Sequence, residues 1–121
     1  MARKRRARER KLSAPTSDYS DGEGNVLTLR GSFTPRARVE YAETLAGMRG
    51  RAAATQEDAW QRAVELLFER LAVRWTIAGA SIERPRELLA RLRVASAGER
   101  AWVRDKLREH CAEWFPDVQA P

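Results

Sequence analysis

Side chains able to act as nucleophile, base or metal ligand are few in this chain of 121 residues, and their spacing is poor for chemistry. His110 and Cys111 are the sole histidine and the sole cysteine. Neighbours on a helix point ~100° apart, so the imidazole is badly placed to activate the thiol beside it. The pair also falls short of the three or four ligands that hold zinc. Cys111 lies on the apolar stripe of its segment and reads as a small buried hydrophobe. His110, near a helix C-terminus, suits the dipole there. The close acids Glu57/Asp58 and Glu109/Glu113 are interleaved with arginine, the pattern of solvated ion-pair faces. Gly22-Glu23-Gly24 opens no helix, so it lacks the setting of a phosphate-cradling loop. No catalytic, cofactor-binding or metal-binding set is predicted, and no enzyme.

Charge is the other source of chemistry. Arg3, Lys4, Arg5, Arg6, Arg8, Arg10 and Lys11 face a single acid, a net +6, whereas residues 12–121 carry sixteen basic and sixteen acidic side chains. The pI near 10.4 thus belongs to a neutral domain with a short cationic arm. Adjacent cations repel, so the arm is predicted to be disordered in isolation. Three roles are open to it: binding nucleic-acid phosphates by counterion release, docking on an acidic partner surface, or serving as a solubilising tail. It holds no aromatic residue, so base stacking plays no part.

A lone cysteine forms no internal disulfide, and no apolar run approaches the ~20 residues of a membrane span. The segment after the arm, Ser13–Asn25, is polar where a signal peptide would be apolar. A cytoplasmic location is expected.

The elements that must position these residues are mostly helical. Asp21-Gly22 and Gly24-Asn25 form turn dipeptides, and Val26–Arg30 is a short β-type run that Asp18-Tyr19 can join as a hairpin. Thr34-Pro35 is an N-cap followed by a first-turn proline; the helix it opens carries Ala37, Tyr41, Ala42 and Leu45 on one side and stops at Gly47. Thr55-Gln56-Glu57-Asp58 resembles a capping box. Behind it Trp60, Val64, Leu67, Leu71, Trp75 and Ala78 recur at helical spacing, with Ala63, Leu66, Val73 and Ile77 as a second stripe. This predicts a central helix running to Gly79, packed on two sides. Pro85 opens a shorter helix with Leu88, Leu89 and Leu92 inward. Ser96 and Glu99 form a capping box for the last helix, which carries Trp102, Val103, Leu107, Cys111 and Trp114 and ends at Pro116.

The expected fold is therefore mainly α: about four helices in a small bundle, a short N-terminal β-hairpin and a disordered basic arm. Residues 1–15 would be the arm, 16–117 one small helical domain with an N-terminal β element, and 118–121 a tail.

The pattern from about Asn25 to Asp117 resembles small tail assembly chaperones of long-tailed actinobacterial phages. The stretches that carry the likeness are Val26–Gly31 followed by Thr34-Pro35, then Gln56–Gly79, and then Ala97–Pro116, which ends in WFP. The resemblance implies a non-enzymatic helper made in the host cytoplasm. Such proteins coat the tape-measure protein, help recruit tail-tube subunits and are absent from the finished particle. A longer product made by ribosomal frameshifting is typical of that family. The Arg-rich arm matches none of its motifs. A coating protein needs exposed apolar surface, and the candidate partner-binding residues are Trp60, Leu67, Trp75, Trp102 and Trp114, through a groove or a self-association face. The alternative is that the other helices cover them. A second function remains open, a small nucleic-acid-associated protein binding phosphates through its arm.

Overall fold

The computed structural model describes residues 15–47, 53–118 and 120, with the backbone alone over 53–59. Among these the elements run β1 (Thr16–Ser20), β2 (Val26–Arg30), α1 (Pro35–Ala46), α2 (Ala53–Leu71), β3 (Ala72–Ile77), β4 (Ala80–Ile82), α3 (Pro85–Arg93) and α4 (Ala97–Trp114). The strands form one antiparallel sheet in the order β1-β2-β3-β4. Among the described residues the architecture is thus four helices packed on a four-stranded sheet. It is not the helical bundle with a hairpin that periodicity suggests.

The correction centres on residues 72–77. The helix expected to reach Gly79 ends at Leu71, and β3 begins at the next residue. Val73, Thr76 and Ile77 are β-branched and sit well on a pleated surface. The long-range cause is β2, in which Leu27, Thr28 and Leu29 are all buried. A buried strand needs hydrogen-bond partners on both edges. β1 supplies one edge, from Thr16↔Arg30 to Ser20↔Val26. β3 supplies the other, from Val26↔Thr76 to Leu29↔Ala72, with an irregularity between Thr28 and Leu29.

Gly79 does not stop a helix but completes a tight hairpin turn. Ala78 and Gly79 link β3 to β4 with φ values of 51° and 81°, and such two-residue loops use positive φ. The Asn25 side-chain oxygen accepts from the Ala78 N–H at 3.0 Å, which ties this turn to the β1–β2 turn.

Tyr19, Leu27, Trp75 and Ile82 are direct partners in register and so form one row on one face of the sheet. Helices cover that face. Trp75 meets Phe68 of α2 edge-on at 5.8 Å, and the Arg91 guanidinium of α3 lies 5.2 Å from its ring centroid. The adjacent row, Asp18, Thr28 and Arg74, is polar, with Thr28 donating to Asp18 at 2.7 Å. The core joins Leu27, Leu29, Phe33, Tyr41, Leu67, Phe68, Leu71, Leu88, Leu92, Leu107 and Phe115.

Two helix starts carry their expected caps. Thr34 Oγ1 accepts from the Ala37 N–H at 3.1 Å, with Pro35 in the first turn. Ser96 and Glu99 make both bonds of a capping box, each 3.1 Å. The Thr55 box and the basic arm lie outside the described side chains.

Candidate functional site

A solvent-facing apolar flank is built on α1. This helix buries only Ala37 and Tyr41, with Leu45 half-buried at its edge. At ~100° per residue, Pro35, Val39, Ala42 and Ala46 fall within a sector of about 60° next to the buried side. All four are exposed, Val39 to 57 %. Polar side chains bound this flank on its outer edge: Arg36, whose side chain is 93 % exposed, and Glu43, which forms no ion pair among the described residues.

On its inner edge the flank opens into a groove of about 370 Å³ between α1 and the C-terminal segment. Arg38, Tyr41, Ala42, Leu45, Ala46, Asp117 and Val118 line it. Arg38 fixes its wall. Its guanidinium carbon sits 5.6 Å from the Phe33 ring centroid and 5.5 Å from that of Phe115, a double cation–π contact. Arg38 also donates to the Phe33 carbonyl at 3.1 Å and to Asp117 at 2.5 Å. That ion pair neutralises the one cation and the one anion of the lining, leaving aliphatic surface and the Tyr41 ring. Burial pushes the Tyr41 phenol above its ordinary value, so it stays neutral.

The predicted partner-binding residues are scattered rather than gathered. Leu67 and Trp75 are core residues, 0 % and 2 % exposed, and present no surface. Trp60 is half-buried under the Arg104 guanidinium, 4.4 Å from its ring centroid, and its buried indole N–H finds no acceptor. Trp102 is half-buried too, but residues 102 and 104 lie ~200° apart on α4, so Trp102 faces away from Trp60. Trp114 is half-buried beneath β1 and donates to Ser17 Oγ at 3.0 Å. Beside it Gly31 is tight: a Cβ there would lie 2.8 Å from the Trp114 ring and 3.1 Å from Pro15.

The residues with reactive chemistry are structural. His110 is fully buried, with Nε2 at 2.7 Å from the Arg30 carbonyl and Nδ1 at 2.8 Å from the Tyr19 hydroxyl. A carbonyl only accepts, so Nε2 carries the proton and Nδ1 accepts from Tyr19. Burial lowers its pKa, while the Arg30 bond and nearby Glu113 oppose that shift. The imidazole is a neutral clamp joining α4 to β1 and β2, a role that helix-terminus reasoning misses. Cys111 is 1 % exposed and its thiol is pushed up to about 11 by burial, the opposite of an activated nucleophile. Glu109 pairs with Lys106 at 3.0 Å. Gly22-Glu23-Gly24 lies in the β1–β2 turn, where Asp21 accepts from Glu23 and Asn25. The Glu57 and Asp58 side chains fall outside the described residues.

Among the described residues no cluster of three His, Cys, Asp or Glu side chains is placed to hold a metal ion. None of their helices is long and apolar enough to cross a membrane. Compared with family models, with curated proteins and with solved structures, the chain matches none. Sequence reasoning misses the α1 flank because Ala42 looks like a core position. The available signal is Val39, Ala42 and Ala46 at intervals of three and four.

Proposed function

We propose that this protein is a non-enzymatic assembly chaperone working in the host cytoplasm, the role implied by its resemblance to phage tail assembly chaperones. The apolar flank of α1, continuous with the groove, carries the proposal. Its shape suits an amphipathic helix laid along it with apolar residues three and four apart. The clients are a tape-measure protein, a long helical chain with repeated apolar stripes, and the tail-tube subunit recruited to it. Each contact is small, so holding such a client in solution relies on many copies acting together. Client contact moves from Leu67 and Trp75 to Val39, Ala42 and Leu45, with the half-covered Trp60 and Trp102 as accessory positions.

The test is co-expression of a tape-measure segment with the wild-type chain or with Val39→Asp. Solubility should rise with the wild type and not with the variant. No rise with the wild type, or an equal rise with Val39→Asp, overturns the proposal.

The concentration of +6 in residues 3–11 favours one second reading, phosphate binding through the arm. It predicts nucleic-acid affinity that falls steeply with salt and is lost from a chain beginning at Leu12.

A further inference from the structure

We infer that α1 is also a self-association face, on which two copies pair their α1 helices antiparallel about a two-fold axis. The sequence of the helix is complementary to itself in that arrangement. Pro35, Val39, Ala42 and Ala46 follow one another at intervals of four, three and four, the spacing of a helix–helix seam. Run antiparallel, the seam stacks Val39 on the partner copy's Ala42 and Pro35 on the partner copy's Ala46, each layer repeated by symmetry. Large residues meet small ones in both layers, which lets the backbones approach closely.

Charge sets the same register. Arg36 and Glu43 each follow a seam residue by one position, so they share the outer edge of the flank. In an antiparallel pair these edge positions face one another, placing Arg36 opposite the partner copy's Glu43 twice per dimer. Arg36 is almost wholly exposed, and its internal contact with Glu40 is a loose 3.7 Å. Glu43 is exposed and makes no ion pair among the described residues. A parallel pair would leave Arg36 without the partner copy's Glu43 and set Val39 against Val39.

The inference rests on the same α1 face as the proposed client site and adds a regulation to it. Unoccupied copies cover their apolar flanks mutually, and a client helix competes for them. Twelve residues make a small contact, so the dimer is weak and forms in the micromolar range.

Analytical ultracentrifugation of the full chain across that range tests it, with circular dichroism to confirm folding. The wild type should pass from monomer to dimer with concentration, and Val39→Asp should stay monomeric. Glu43→Arg sets two guanidinium groups against each other at both edges and should weaken association roughly tenfold, as should Arg36→Glu, which does the same with two carboxylates. The double variant Arg36→Glu/Glu43→Arg restores both pairs and should return to within about threefold of wild type. A wild type monomeric throughout, or a dimer indifferent to these changes, overturns the inference, as does absence of rescue in the double variant. No client is present in this experiment, so failure of the co-expression test leaves its result standing. A monomer that still solubilises a client would overturn the dimer alone.

Discussion

Replacing His110 with phenylalanine tests the clamp between α4 and the N-terminal hairpin. The imidazole is fully buried and uses both nitrogens, one on the Arg30 carbonyl and one on the Tyr19 hydroxyl. Phenylalanine keeps the aromatic contacts with Trp114 and Phe115 but removes both bonds. Each bond contributes about 1 kcal/mol net, and a carbonyl left facing an apolar ring costs ~1–3 kcal/mol. The expected loss is therefore about 2–4 kcal/mol. For a chain of this size that lowers Tm by roughly 8–16 °C. Tyr19→Phe removes one bond of the two and should cost less. The pH dependence supplies an internal check. Burial holds the folded pKa of His110 below its ordinary 6.5, so the unfolded chain takes up the proton more readily. The clamp's contribution is complete above pH 6.5 and is lost as pH falls from there through the folded value. His110→Phe lacks this titration, and every other group is common to both proteins. The gap in Tm between wild type and His110→Phe should be widest at neutral pH and narrow on acidification. A loss below 1 kcal/mol at neutral pH, or a gap that does not change with pH, would refute this account.

Other substitutions probe separate parts of the fold. Gly31→Ala puts a Cβ 2.8 Å from a Trp114 ring anchored on Ser17, so urea denaturation should show a loss of ~1–3 kcal/mol. Ala78 holds φ at 51° in the β3–β4 turn, and Ala78→Gly should raise stability by roughly 0.5–1 kcal/mol in the same assay. Ser96→Ala removes the capping box of α4 and should cost about 1 kcal/mol, read as a lower Tm. Cys111, buried with its thiol raised to about 11, should resist iodoacetamide at pH 8 until denaturant is added, as followed by mass spectrometry. Rapid alkylation of the folded protein would show that α4 opens locally.

Several elements were legible before any fold was known, because their signals act within one turn of chain. Thr34-Pro35 and Ser96 with Glu99 mark helix starts through bonds to N–H groups three residues on. Asp21, Gly24 and Asn25 shape a turn from their own side chains and backbone. Pairing of β1 with β2 follows from that turn, since it joins neighbouring segments. Burial of Cys111 was readable from its place on the α4 stripe. Of the candidate site, sequence showed only the spacing of Val39, Ala42 and Ala46, and nothing local said that the stripe faces outward.

Contacts far apart in the chain decided the rest. Leu71, Trp75 and Ala78 keep helical spacing, and the β-branched residues among them are tolerated in helices as well as strands. Residues 72–77 became a strand because β2, about 45 positions earlier, is buried and needs its second edge bonded. The same pairing sealed Trp75 in the core and removed it from any partner surface. His110 could be read as a helix-end residue from sequence, yet its partners lie 91 and 80 positions away. Where the groove beside α1 lies depends on the path of the C-terminal segment, and Arg38 fixes that by gripping Asp117, 79 residues on. Local hydrogen bonds and turn geometry are written in adjacent residues. The side of a helix that water sees is set only when the whole chain has chosen its neighbours.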